Sequence, residues 1–308
     1  MASAPLLVSL PDSHILAVLG RAPDGIEFLQ WDMTGPAPAD SIDIVVPPYM
    51  SAPRYLAQLA GVRTRLVQSL SLGYDGVEAA LPPGHVFANA AGVHEASTAE
   101  LAVALILASQ RGIPDYVRSG DKGQWRPDVR PSLADRTILL VGYGGLGRAI
   151  EARLLTFEVT IVRVARTSRT DQRGAIHGIE SLHDLLPEAD IVVIAVPLSD
   201  ETTHLVDDGF LSLMRDHSLL VNVSRGKVAV TEALLAHASA GRLRLALDVT
   251  DPEPLPEGHP LFALANVLIS PHVGGATTAM MPRAARLLNE QFSRMLRDDE
   301  PLNVVLRS

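Results

Sequence analysis

Between an apolar run at Thr137–Val141 and an amphipathic stretch that begins at Arg148 lies the sequence Gly142-Tyr143-Gly144-Gly145-Leu146-Gly147. This turn constrains the fold more than any other segment. The first glycine permits a tight bend, the second lets backbone approach a bulky anion, and the third lets a helix pack closely on the preceding strand. The N–H groups at the start of that helix then point at whatever anion lies over the turn. Taken alone the spacing is weak, and an ordinary glycine turn would satisfy it. Its context makes it specific, because a strand pattern precedes it, a helix pattern follows it, and strand and helix patterns alternate around it.

Downstream, apolar runs at residues 159–165, 191–196, 219–223, 243–249 and 267–270 read as strands, with helices near 146–155, 181–186 and 231–240. Six strands joined by crossovers predict a doubly wound dinucleotide-binding domain. Upstream, strands at 6–10, 42–46 and 65–70, with a helix over 52–61, predict a second set of βα units. A long helix is expected over 96–110, closed by Gly112 and Pro114, and followed by a polar surface arm at 121–136. The last helix covers 277–296, and the apolar tail 302–306 is expected to return to the first domain. The fold class is therefore α/β, with two Rossmann-like domains built on parallel sheets. Residues 1–95 and 276–308 form a discontinuous domain, and 96–275 form the dinucleotide-binding domain.

Composition excludes several functions. The chain of 308 residues carries 26 Lys plus Arg against 35 Asp plus Glu, a net charge of −9, so a broadly basic surface for nucleic acid is not expected. There is no cysteine, which excludes disulfides, thiolate metal ligands and a cysteine nucleophile. No metal site is expected. The N-terminus lacks a basic n-region and a long apolar core, and the longest apolar run, 101–108, is far short of the ~20 residues that span a bilayer. A soluble, cytoplasmic protein with no membrane partner is expected.

An NAD-specific site would place Asp or Glu about 20 residues beyond the glycines, at the end of the second strand. This chain has Arg163-Val164-Ala165-Arg166-Thr167-Ser168-Arg169 there, and Glu158 lies at the opposite end of that strand. Guanidinium groups pair bidentately with phosphate, and hydroxyls assist them. Arg166, Thr167, Ser168 and Arg169 therefore favour NADP(H) over NAD(H), although solvated arginines would read the same way. Between Arg163 and Arg173 four arginines face a single acid, Asp171, so the predicted site is locally positive.

Three later segments end predicted strands: Val221 to Gly226, Ala246 to Pro256 and Ile269 to Gly275. Ligands of open α/β sheets bind outside the carboxyl ends of the strands, where Arg225, Asp248, Glu253 and His272 could converge. Reduction of a ketone needs a proton donor that titrates near neutrality, as imidazole does. A carboxylate bonded to that ring orients it and favours its charged form, a role Glu253 can fill for His272. Arg225 can hold a substrate carboxylate. Each also has a plain reading: a surface cation, a solvated turn residue, and a loop histidine capping a helix.

These segments resemble the D-isomer-specific 2-hydroxyacid dehydrogenase family over essentially the whole chain. The resemblance rests on Asn222 to Gly226, Leu247 to Pro256, Pro271 to Gly275, Gly73-Tyr74-Asp75, Asn89, Glu100 and Ala195-Val196-Pro197-Leu198. It implies a flavodoxin-like substrate domain, a Rossmann cofactor domain and a cleft between them. His272 is then the acid/base, Glu253 its partner and Arg225 the substrate-orienting cation. Asp248 would lie near the nicotinamide carboxamide, with Val196, Pro197, Val223, Ser224, His272 and Gly274 also in the cofactor set. The backbone around Leu72 and Gly73 would grip the substrate carboxylate. The expected substrates are small 2-keto or 2-hydroxy acids of the glyoxylate and hydroxypyruvate type, handled by a homodimer joined through cofactor domains.

The chain departs from the family pattern in two places. Val93 to Thr98 is more polar than usual, and His94 either caps the helix, the preferred reading, or faces the cleft. Pro47-Pro48-Tyr49-Met50 is similar to a segment of formate dehydrogenases, which places Tyr49 and Met50 among the substrate candidates. Those enzymes carry Gln where this chain has Glu253, which argues against formate. Two alternatives remain: oxidation of phosphite or a larger hydroxy acid on the same scaffold, or a cofactor-sensing protein resembling the corepressors of this fold.

Overall fold

A computed structural model describes residues 4–50 and 52–308. The first three positions of the N-terminal segment read above lie outside the described residues, as does Ser51. The chain divides into two compact units, one running to His94 and resuming from Thr277 to Ser308, the other Glu95–Ala276.

In the first unit β1 (Leu6–Leu10), α1 (Ser13–Leu19), β2 (Ile26–Gln30), β3 (Ile44–Val45), α2 (Ala52–Tyr55), β4 (Leu66–Gln68), α3 (Val77–Ala80) and β5 (Val86–Ala88) follow one another. The strands are parallel in the order β2-β1-β3-β4-β5, the flavodoxin-like arrangement expected. Val8, Ile44, Val45, Leu66, Val67 and Phe87 are buried, so the central strands read as continuous apolar runs rather than alternating ones. Asp12 caps α1 by accepting from the N–H groups of His14 and Ile15. The single helix expected over 52–61 is instead α2 followed by a 3-10 turn at Leu56–Leu59, and Gly61 (φ +82°) turns the chain into β4.

The second unit opens with α4 (Glu95–Arg111). Gly112, at φ +64°, turns the chain straight into α5 (Ile113–Gly120), which the sequence reading did not assign. Pro114 therefore does more than end one helix; in the first turn of the next, its missing N–H costs nothing. Residues 124–132 then run without regular structure, leaving Trp125 and Val129 exposed. There follow β6 (Thr137–Val141), α6 (Gly145–Leu154), β7 (Thr160–Ala165), β8 (Arg169–Asp171), β9 (Gly174–Gly178), α7 (Leu182–Leu185), β10 (Ile191–Ile194), α8 (Asp208–Leu213), β11 (Leu219–Asn222), α9 (Thr231–Ser239), β12 (Arg244–Leu247) and β13 (Val267–Ile269).

This sheet has the order β13-β12-β11-β10-β6-β7-β9-β8, parallel except where β8 runs back along β9. It is the doubly wound order with two strands more than the six expected, because residues 169–178 form a hairpin at one edge. Alternate residues of the central strands enter opposite cores. Leu139, Val141, Val192, Ile194 and Leu220 pack with Phe210 and Leu211 of α8 and Leu234 of α9. Ile138, Leu140, Ile191, Val193, Leu219 and Val221 pack with Ala99 and Ile106 of α4 and Ile150 of α6.

The chain then rejoins the first unit. α10 (Met280–Leu296) places Ala284, Leu288 and Phe292 in one core with Val8, Ile44 and Leu66. The apolar tail forms β14 (Val304–Arg307), antiparallel to β5. Buried Gln291 ties helix, tail and sheet together, donating to Gln68 Oε1 at 2.6 Å and to the Leu302 carbonyl at 2.9 Å. Among the described residues no helix is long and apolar enough to cross a membrane.

Candidate active site

The strand order of the second sheet reverses between β6 and β10, and the glycine-rich turn sits at that point. Gly142 has φ +104°, and a Cβ there would lie 2.5 Å from the carbonyl of Ala195, the residue after β10. A Cβ on Gly147 would lie 2.2 Å from the Gly142 oxygen, so the close approach of helix to turn requires glycine. Gly144, the residue before α6, has nothing within 4 Å of its ideal Cβ position and offers no side chain to cap the helix. Gly144 and Gly145 are exposed and Leu146 is half-buried. The open backbone at the start of α6 fits a pyrophosphate. Beyond β10, Val196 is buried and Pro197 is exposed.

At the end of β7 the side chains of Arg166, Thr167 and Ser168 are exposed. Arg169 begins β8 and reaches back to the turn, donating to the Tyr143 carbonyl at 3.2 Å and more weakly to the Thr167 carbonyl at 3.4 Å. The charge balance read from the sequence needs correction. Asp171 is not the only acid, because α6 brings Glu151 beneath the strand. Arg163 is buried and pairs with Asp171 at 3.0 Å and Glu151 at 3.6 Å, and Arg173 also binds Glu151. Two of the four arginines are thus neutralised, which leaves Arg166 and Arg169 as the positive pair. Ser199 and, more weakly, Arg166 hold the Glu201 carboxyl below its ordinary range.

Three strand ends carry the remaining candidates. After β11, the Asn222 side chain accepts from the N–H and hydroxyl of buried Ser224 and donates to the Arg225 carbonyl, fixing the bend that also contains buried Val223. The next residue must be glycine, because a Cβ on Gly226 would sit 1.8 Å from the Thr250 carbonyl. The loop carrying Arg225 therefore abuts the loop that leads from β12 to Glu253, and Thr231 Oγ1 donates across to the Asp251 carbonyl at 2.5 Å. After β13, Glu253 Oε1 is hydrogen-bonded to Nδ1 of His272. Among the described residues Nε2 of His272 has no hydrogen-bond partner, and the ring is partly exposed.

Asp248, at the end of β12, holds this last loop. Its Oδ1 accepts from Ser270 Oγ at 2.7 Å and the Val273 N–H at 3.0 Å, and its Oδ2 from the Gly274 N–H at 2.9 Å. The His272 N–H donates to the Asp248 carbonyl at 2.8 Å, and His272 adopts φ +52°. The structure thus accounts for Asp248 as an anchor of the histidine loop, a role its position in the sequence does not reveal. Ser270, not singled out from the sequence, belongs to the same framework, and Glu151, likewise not singled out, belongs to the ion pairs under β7.

In the first unit the Leu72 carbonyl accepts from Asn89 Nδ2 at 2.8 Å, and Leu72 and Gly73 are half-buried. Met50 is exposed at φ +59°. His94 does not cap α4. Its Nε2 donates to the Leu70 carbonyl at 2.7 Å and its ring stacks on Tyr49 at 5.7 Å, so burial against the first unit has taken the side chain away from the helix end.

Comparison with known proteins matches residues 103–274 to the NAD binding domain of D-isomer specific 2-hydroxyacid dehydrogenases. The chain is 34% identical over 258 residues to a glyoxylate reductase of Pyrococcus horikoshii, covering 80% of this chain and 77% of that protein. A glyoxylate reductase of Pyrococcus furiosus is 35% identical over 257 residues, covering 79% and 76%. The crystal structure of a D-isomer specific 2-hydroxyacid dehydrogenase from Xanthobacter autotrophicus, in complex with NADPH and MES, superposes with a TM-score of 0.82 at 25% identity over 99% of both chains. The chain belongs to the D-isomer specific 2-hydroxyacid dehydrogenases, a family of oxidoreductases, and carries that family's NAD-binding domain.

Proposed function

We propose that the protein is an NADP(H)-preferring reductase of small 2-keto acids of the glyoxylate and hydroxypyruvate class, with His272 as acid/base, Glu253 as its partner and Arg225 as the substrate-orienting cation. The observation that carries this reading is the Glu253–His272 hydrogen bond, held in a loop cluster that also bears Arg225 at the carboxyl edge of the sheet. Similarity to glyoxylate reductases supports the substrate class. The NADPH-bound relative supports the cofactor.

A reduced nicotinamide supplies the hydride when bound. Arg225 holds the keto acid by its carboxylate through charge-assisted hydrogen bonds and polarises the neighbouring carbonyl. As the carbonyl carbon is reduced, His272 gives the proton on Nε2 to the carbonyl oxygen, which yields the 2-hydroxy acid and a neutral ring that is reprotonated from water. Glu253, on Nδ1, keeps the ring oriented and balances its charge before transfer. Gly142, Tyr143, Gly144, Gly145, Leu146 and Gly147 cradle the pyrophosphate. Arg166, Thr167, Ser168 and Arg169 take the 2′-phosphate. Val196, Pro197, Val223, Ser224, Asp248 and Gly274 are assigned to the nicotinamide side, and Leu72, Gly73, Tyr49 and Met50 to substrate recognition. On this reading residues 1–95 and 276–308 are the substrate domain, 96–275 the cofactor domain, and the protein works as a cytoplasmic homodimer joined through cofactor domains.

The test mixes purified protein with NADPH and a panel of 2-keto acids. Loss of NADPH absorbance is expected with glyoxylate or hydroxypyruvate, and H272N is expected to slow it about 10²–10⁴-fold. No turnover with any keto acid would overturn the reading.

A further inference from the structure

Beneath the glycine-rich turn lies an ionic cluster, buried at Glu151 and Arg163 and exposed at Asp171 and Arg173, that the hydride chemistry does not use. Tyr143, Glu151 and Arg163 are only 4%, 3% and 4% exposed. The Tyr143 hydroxyl donates to Glu151 Oε2 at 2.5 Å, and the Arg163 guanidinium lies 5.2 Å from the Tyr143 ring centre. Arg163 also donates to Asp171 Oδ1 and to the Ala175 carbonyl, each at 3.0 Å. Arg173 binds Glu151, while its own N–H donates to Asp171 Oδ1 at 2.9 Å. Two carboxylates meet two guanidiniums, so the cluster is neutral.

Its members come from four places: the turn (Tyr143), α6 (Glu151), β7 (Arg163) and the hairpin (Asp171 and Arg173). The hairpin needs such an anchor. β8 is a three-residue edge strand whose side chains are all exposed, and among the described residues it pairs only with β9. A ladder that short, whose outer strand buries no side chain, is marginal in water. The same strand begins with Arg169, whose guanidinium bonds the Tyr143 carbonyl.

We propose that this ionic cluster sets the discrimination between 2′-phosphorylated and unphosphorylated adenine nucleotides, with Glu151, Arg163, Asp171 and Arg173 as positioning residues that hold β8, and therefore Arg169, against the glycine-rich turn. The proposal rests on the NADP(H) reading above. Loosening the hairpin displaces Arg169 without touching the backbone that cradles pyrophosphate, so the loss falls on ligands that carry a 2′-phosphate.

The experiment measures calorimetric dissociation constants for 2′,5′-ADP and 5′-AMP in the full-length wild type, D171N, R173A, R173K and R169A, alongside hydrogen exchange over residues 169–178. Loss of one aligned charge-assisted contact to phosphate corresponds to about tenfold in affinity. D171N and R173A are expected to weaken 2′,5′-ADP by about that factor, to leave 5′-AMP unchanged and to speed exchange at 169–171, with R173K recovering most of the loss. If R169A weakens 2′,5′-ADP while D171N and R173A do not, or if they weaken both ligands equally, the positioning role is overturned and the NADP(H) reading stands. If the wild type does not prefer 2′,5′-ADP, or R169A leaves its preference intact, the NADP(H) reading fails and the proposal fails with it.

Discussion

Replacing Asp248 by Asn tests the framework around the histidine loop at a single atom. Asp248 is buried and uses both oxygens: Oδ1 serves Ser270 and Val273, and Oδ2 serves the Gly274 N–H at 2.9 Å. An asparagine can keep its oxygen on the first pair, but its NH₂ then faces the Gly274 N–H, donor against donor; the flipped amide sets its NH₂ against the Val273 N–H instead, while the Ser270 hydroxyl can turn to accept. A hydrogen bond to a charged acceptor contributes about 1.5–3 kcal/mol, and a buried donor left unpaired costs about 1–3 kcal/mol. With partial relaxation of the loop, the loss should be about 3 kcal/mol. Urea unfolding of wild type and D248N, followed by circular dichroism, measures it. Because the His272 N–H is itself bonded to the Asp248 carbonyl, kcat for keto-acid reduction should fall as well, by about tenfold or more. A D248N protein within about 0.5 kcal/mol of wild type and equally active would refute the anchoring argument.

Three further outcomes are expected. In G226A the new Cβ would meet the Thr250 carbonyl, which is backbone and cannot rotate away, so the Arg225 loop must move and kcat/KM should drop at least about tenfold; kinetics at wild-type level would show that the loop tolerates displacement. E151A leaves Arg163 with half its countercharge in the interior and should cost about 3–5 kcal/mol in urea unfolding, whereas a loss below about 1 kcal/mol would mean the cluster is solvated. Burial lowers the pKa of His85 from its ordinary 6.5, and because the folded state favours the neutral ring, its contribution is complete above 6.5 and disappears as pH falls through the lowered value. The urea midpoint should therefore decline on acidification below 6.5, less steeply in H85N; identical pH profiles for both proteins would exclude His85 as the source.

The features legible in the sequence are those whose signal is local. Gly142 and Gly147 announce a strand–turn–helix because a Cβ at either position would collide with backbone. The two parallel sheets follow from continuous apolar runs such as Ile191–Ile194, which only a strand covered on both faces can bury. Arg225, Glu253 and His272 stand at strand ends and could be placed at one sheet edge from topology alone. Short elements escaped: β5 (Val86–Ala88) is too brief to show a period, and the β8–β9 hairpin has polar exposed residues on one strand and, of the other, buries Ile176 and the side-chain-less Gly178.

What tertiary structure decided is which charges meet. Along the chain, Glu151 is a polar residue on a helix, His94 a plausible cap and Asp248 a carboxylate near a strand end. Folding buries all three, and a buried polar group must find a partner from whatever element lies beside it. So Glu151 takes Arg163 and Arg173, His94 turns to Leu70 and Tyr49, and Asp248 gathers the loop that carries His272. Those pairings span up to 45 residues of sequence. No local pattern encodes them, because the desolvation that forces them exists only once the two cores have closed.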